Sequence, residues 1–156
     1  MQVGIIGLGK MGFNLALNLK RNNYQVVAQD VNADFVSKIG QEGIETAYTV
    51  EELSQKLTSR RVIWLMVPAG KIVDSVIVSL LPYLSKNDII IDGGNSNYND
   101  SKRRYAQLKE HGIDFLDCGT SGGTSGALNG ACTMIGGDAD VFDYVAGVFK
   151  DISVEN

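Results

Sequence analysis

The chain is poor in the residues that most often hold transition metals or run acid–base chemistry. It has one histidine, His111, and two cysteines, Cys118 and Cys132. The two thiols fit no metal-ligand spacing. A single imidazole with no second histidine and no acid–base partner argues against histidine-centred catalysis. His111 stands beside Gly112 at the end of a helical pattern, where a cation suits the helix dipole, and reads as a surface or capping residue. So few cysteines give no disulfide framework, and both are expected as reduced thiols of a cytoplasmic protein. Positive charge is short as well. The net charge is −4, against the clustered basic surface that nucleic-acid binding needs. No apolar run approaches the length of a bilayer span. No basic segment followed by an apolar stretch opens the chain, so no secretion signal is expected. Repeats, low-complexity tracts and linkers are missing too. What remains is the composition of an ordinary globule, 44% hydrophobic and 21% charged. Its 156 residues make one domain's worth. A domain of that size hides roughly 70% of its unfolded surface.

The rhythm is strand then helix, repeated. Strands are expected at 2–6 (QVGII), 25–29 (QVVAQ), 61–66 (RVIWLM), 88–92 (DIIID), 113–117 (IDFLD) and about 131–135. Pro68 stops the third of these. Helical patterns cover 10–22, 32–40, 51–57 from a start near Thr49, 71–80, 99–111 and 138–149, and 119–130 is a Gly-rich loop. Short runs rich in Val and Ile suit strands buried on both faces. Their alternation with helices implies right-handed crossovers. Trp64, inside an apolar strand, is expected in the core. Lys102, Arg103 and Arg104 are expected on the wet side of their helix.

The first strand runs directly into Gly7-Leu8-Gly9-Lys10-Met11-Gly12, a G-x-G-x-x-G that opens a helix. Such a sequence is weak evidence alone, but here the required context surrounds it. The first glycine permits the tight turn. The second lets backbone approach a pyrophosphate, and the third lets helix pack against strand. The helix N-terminus then offers N–H groups and partial positive charge to an anion. Asp30 lies 23 residues beyond Gly7, at the end of the second strand. A carboxylate there accepts hydrogen bonds from ribose hydroxyls and repels a 2′-phosphate. Val31 and Asn32 bring no cation to attract one, so NAD is expected over NADP. The plain alternatives are a ligand-free glycine turn, and an Asp30 that merely caps the helix beginning near Asn32. The expected fold is α/β and Rossmann-like, a doubly wound, mainly parallel sheet with helices on both faces.

Three further elements follow in order: Met66-Val67-Pro68-Ala69-Gly70, Ile91-Asp92-Gly93-Gly94-Asn95-Ser96, and Gly119-Thr120-Ser121-Gly122-Gly123-Thr124-Ser125-Gly126-Ala127. With the opening glycine loop, this set resembles the β-hydroxyacid dehydrogenases. Asp92-Gly93-Gly94-Asn95-Ser96 with Tyr98-Asn99-Asp100-Ser101 resembles in particular the 6-phosphogluconate dehydrogenase family. The resemblance covers nearly the whole chain. It implies that Gly7, Leu8, Gly9, Lys10, Met11 and Gly12 hold the cofactor diphosphate, with Met11 towards the nicotinamide. It implies that Asp30, Val31 and Asn32 meet the adenosine ribose, and that Val67, Pro68 and Ala69 line the cofactor channel. Asn95 would touch cofactor and substrate, and Ser121, Gly122 and Gly123 would hold the substrate, 6-phosphogluconate. Asn95, just past a strand's carboxyl end, can donate and accept, which suits a hydroxylated acid. Many family members carry Asn-Arg-Thr at Asp30-Val31-Asn32, and Lys at Pro68. Both departures remove a cation that would favour NADP.

The implied reaction oxidises the C3 hydroxyl, loses CO2 from the β-keto acid and protonates the enediol to ribulose 5-phosphate. It needs a base and an acid. In the family these are a lysine and a glutamate. The lysine lies in a Gly-x-Gly-His-x-x-Lys-x-x-x-Asn type segment that these 156 residues do not contain. The expectation is therefore a dinucleotide-binding domain over 1–156, lacking the helical substrate and dimer domain, with no catalytic residue of its own and inactive alone. Ser121 and Ser125 have no neighbouring base and make no nucleophile elbow. Two other readings stay open. One is a different β-hydroxyacid dehydrogenase, such as a hydroxyisobutyrate type, and the other is a non-catalytic nucleotide-sensing module.

Overall fold

The structure, a computed structural model, describes residues 1–58, 60–119, 131–133 and 139–153. The strands are β1 (Gln2–Ile6), β2 (Gln25–Gln29), β3 (Glu45–Ala47), β4 (Val62–Leu65), β5 (Ile89–Asp92), β6 (Asp114–Gly119) and β7 (Ala131–Thr133). The helices are α1 (Lys10–Arg21), α2 (Ala33–Gly40), α3 (Val50–Lys56), α4 (Lys71–Leu80), α5 (Tyr98–Glu110) and α6 (Ala139–Ser153), with a 3-10 turn at Leu81–Tyr83. The strands form one sheet in the order β3-β2-β1-β4-β5-β6-β7. Every pairing is parallel except β6 with β7. This is the doubly wound architecture expected from the strand–helix alternation. The order reverses between β1 and β4, where open sheets of this kind bind ligands.

Successive strand residues point to opposite faces, so each strand feeds two cores. Val3, Ile5, Trp64, Ile89 and Ile91 face α1, α2 and α6, meeting Leu15, Leu19, Val36 and Val145. Ile6, Ile63, Leu65, Ile90 and Phe115 face α3, α4 and α5, meeting Leu53, Val73, Ile77 and Leu108. Trp64 is buried as expected, and its ring meets Phe149 edge-on at 5.2 Å. The Asn18 side chain donates to the Ile152 carbonyl at 2.9 Å, which ties α6 to α1.

Three differences from the sequence expectations have clear causes. β3 has no apolar run to betray it: Glu45-Thr46-Ala47 is short and lies at the sheet edge, paired only to β2. β7 runs antiparallel to β6 at the far edge of the sheet, and this register sets the Cα of Cys118 opposite that of Cys132. Arg104, expected on the wet face of α5, is completely buried. A guanidinium goes inside only when carboxylates and carbonyls satisfy its donors. Arg104 finds them in Asp74 of α4, Asp92 of β5 and the Gly70 carbonyl just before α4.

Candidate functional site

The carboxyl ends of β2, β1, β4 and β5 open onto a cleft of about 1100 Å³. Its floor is the glycine loop. Gly7 has φ +102°, and a Cβ there would stand 2.5 Å from the Met66 carbonyl oxygen. A Cβ on Gly12 would overlap the carbonyl oxygen of Gly7, so α1 can start this close to β1 only with glycine there. Gly9 differs from both. A Cβ there would meet nothing within 4 Å, because that side of the loop is the open cleft.

The helices around the cleft begin in two ways. α2, α3 and α5 are capped by side chains: Asn32 accepts from the Asp34 N–H, Thr49 from Glu52 and Asn97 from Asn99. α4 begins at Gly70 and α1 at Gly9 with no side-chain cap. Lys10, Met11 and Gly12 at the start of α1 line the cleft, and an uncapped helix N-terminus is the arrangement that receives an anion.

Asp30 is held against the loop. One carboxylate oxygen accepts the Leu8 N–H at 2.6 Å and the other accepts the Asn32 N–H at 2.8 Å. Asp30 is not the cap of α2; Asn32 is. A carboxylate has about four acceptor sites, so these two bonds fix its orientation and leave capacity for hydroxyl donors in the cleft.

Of the residues expected at the cofactor, Gly7, Gly9, Lys10, Met11, Gly12, Asp30, Val31, Val67, Pro68 and Asn95 line this cleft. Leu8 contributes backbone only, its side chain being buried. Asn32 spends its side chain on the cap, and neither it nor Ala69 lines the cleft. Ser121, Gly122 and Gly123 lie outside the described residues.

Sequence reasoning missed the wall facing the loop. Lys71, Ile72, Ser75 and Val76 of α4 form it, with Phe35 and Tyr48 nearby. A signal was present. The apolar residues of α4 are too many for one buried stripe. Val73, Ile77 and Leu80 go into the core, while Ile72 stays 49% exposed beside the cleft.

At the β5 end the loop Gly93–Ser96 is organised by Asp92, which is fully buried. Its Oδ1 accepts the Gly94 N–H at 2.9 Å, and its Oδ2 accepts the Ser96 hydroxyl. Asn95 between them has φ +57°, a left-handed conformation that asparagine tolerates. Arg104 faces this carboxylate at 3.4 Å and donates to Ser96 Oγ at 2.9 Å. Its Nε donates to Asp74 at 2.8 Å, and this hydrogen bond holds the Asp74 carboxyl below the usual carboxylate range. Asp117, the register partner of Asp92 on β6, is pushed the other way, by burial first and by the Asp92 charge second.

Residues 2–155 match the family described as the NAD binding domain of 6-phosphogluconate dehydrogenase. The chain is 44% identical over 98% of its length to the NAD(+)-dependent, decarboxylating 6-phosphogluconate dehydrogenase of Bacillus subtilis. It is 40% identical over 99% of its length to the NADP(+)-dependent enzyme of the same organism. A solved 6-phosphogluconate dehydrogenase of Plasmodium falciparum superposes with a TM-score of 0.89 over 98% of the chain, at 32% identity, and the chain covers 34% of it. The chain spans between 34% and 52% of the length of such curated relatives. Over its whole matched length, glycine loop and Asp-Gly-Gly-Asn-Ser loop included, the chain belongs to the family of 6-phosphogluconate dehydrogenase NAD-binding domains.

Proposed function

We propose that the cleft holds a nicotinamide dinucleotide laid across the carboxyl ends of β2, β1, β4 and β5. The observation that carries this is the open side of Gly9 at the uncapped start of α1, in a cleft that Asp30 lines after β2 and Asn95 after β5. Three inter-strand spacings separate β2 from β5, about 14 Å in all, which suits an extended dinucleotide. The adenosine ribose hydroxyls would donate to Asp30, with the adenine between Val31 and the Ile72 side of α4. The diphosphate would lie over Gly9 and take the first amides of α1. The nicotinamide end would lie between Val67 and Asn95.

NAD is the preferred form in this reading. Asp30 stands where a 2′-phosphate would come, and both of its oxygens are already oriented by backbone amides. Val31 and Asn32 supply no countercharge, and neither does Pro68 on the cleft lining. Relatives of both cofactor types match the chain, so the preference rests on these residues.

As the nucleotide domain of a larger cytoplasmic enzyme, the chain would serve the oxidative decarboxylation of 6-phosphogluconate to ribulose 5-phosphate. Bound, the nicotinamide ring supplies the hydride acceptor. Asn95 would orient the sugar acid beside it, and Ser121, Gly122 and Gly123 would hold the reacting end. The base and acid would come from the part of such an enzyme that this chain does not span, as would the dimer contacts. The chain alone then binds dinucleotide without turnover. Calorimetric titration with NAD+ and NADP+ tests the reading. Tighter binding of NAD+ is expected. Tighter binding of NADP+ overturns the role given to Asp30, and binding of neither overturns the whole. Production of NADH from 6-phosphogluconate by these 156 residues overturns the assignment of base and acid elsewhere.

A further inference from the structure

We propose that Arg104 is a positioning residue for the nicotinamide end of the cleft, acting through Asp92 and Ser96 on Asn95. This inference rests on the dinucleotide reading above and goes beyond it.

A single buried guanidinium meets partners from two separate cleft loops. On the β4 side, Nη2 donates to the Gly70 carbonyl at 3.0 Å and Nε to Asp74 at 2.8 Å. On the β5 side, Nη1 donates to Ser96 Oγ at 2.9 Å and faces Asp92 Oδ2 at 3.4 Å. Asp92 passes this constraint on, because its two oxygens grip Gly94 and Ser96 on either side of Asn95. The two loops are also in close contact. A Cβ on Gly94 would stand 2.6 Å from the Val67 carbonyl oxygen. Val67 and Asn95 both line the cleft while Arg104 does not touch it. The fork geometry is what lysine cannot copy: a guanidinium offers five donors in a fixed plane, an ammonium three on one point. A left-handed Asn95 persists only where its surroundings hold it. With the fork gone, the loop would relax and Asn95 would lose its set place on the cleft lining.

The test compares two ligands on one protein. ADP-ribose shares the adenosine and diphosphate of NAD+ but lacks the nicotinamide. Wild type is expected to bind NAD+ more tightly than ADP-ribose. Arg104→Lys is expected to weaken NAD+ by about tenfold, the worth of one well-made hydrogen bond, and to leave ADP-ribose within about twofold. A merely structural role would weaken both alike. Equal losses on the two ligands, or no loss on NAD+, overturn the proposal. So does a wild type that holds NAD+ no better than ADP-ribose. Failure of wild type to bind either ligand is a different result and removes the dinucleotide reading itself. Should Arg104→Lys fail to fold, Ser96→Ala takes its place. It removes one hydroxyl of the relay, and a loss confined to NAD+ is again expected, with equal losses or none overturning the proposal.

Discussion

The two glycines Gly9 and Gly12 should separate binding from stability when each is changed to alanine. At Gly9 the backbone is at φ −64° and ψ −175°, which any residue adopts, and a Cβ meets nothing. Restricting the unfolded chain favours the alanine by about 0.4–1 kcal/mol. Loss of glycine at an N-cap position costs a similar amount. The two effects offset to within about 0.5 kcal/mol, so the melting temperature should move by no more than about 2 °C. The new methyl group would stand in the path assigned to the diphosphate, and NAD+ affinity should fall at least about tenfold, some 1.4 kcal/mol. Gly12 predicts the reverse order of effects. Alanine gains about 1 kcal/mol of helix propensity. Its Cβ, however, overlaps the Gly7 carbonyl, a backbone atom that yields only if α1 moves off the sheet. Overpacking of this kind costs about 1–3 kcal/mol or more. With backbone on both sides the upper part of that range applies. The net loss of about 2 kcal/mol lowers the melting temperature by about 4–8 °C. Thermal unfolding and calorimetric titration on both variants check this. A Gly9→Ala variant with wild-type NAD+ affinity would falsify the placement of the diphosphate. A Gly12→Ala variant as stable as wild type would refute the packing argument.

Arg104→Leu leaves the buried Asp92 carboxylate without its cation and should cost about 3–5 kcal/mol in urea unfolding. Arg103→Ala removes an exposed partner of Asp74 and should cost no more than about 1 kcal/mol. Asp117 holds its proton more tightly folded than unfolded, so its contribution to stability is present in acid and is lost as pH rises through the folded value. Asp117→Asn should therefore be more stable than wild type near neutral pH, with the advantage vanishing in acid. No difference at either pH refutes the cause given. Burial first, and the hydrogen bond to Asp151 second, push the Tyr24 hydroxyl up to about 12 from 10.0. Its contribution is present below the unfolded value and disappears as pH climbs from there through about 12. Ultraviolet difference titration should show one late-titrating tyrosine that Tyr24→Phe removes. Asp30→Asn weakens the charge that opposes a 2′-phosphate and should narrow the gap between NAD+ and NADP+ in paired titrations.

Much of this protein was legible in its sequence because the local signals and the fold agree. Runs such as Val62–Leu65 and Ile89–Ile91 are apolar on both faces, as parallel strands covered on both sides must be. The glycine loop announced its own geometry, since Gly7 and Gly12 sit where a side chain would strike backbone. Tertiary structure alone decided three things. β3 exists through pairing with β2, because Glu45-Thr46-Ala47 carries no pattern to insist on a strand. The wall of the cleft formed by Ile72 and Val76 depends on how α4 is rotated against the sheet, which composition does not state. Arg104 reads as a surface cation by its neighbours Lys102 and Arg103, yet it is buried. Whether a charge belongs inside is settled by partners from distant segments, here Gly70, Asp74, Asp92 and Ser96, and only the folded chain brings those together.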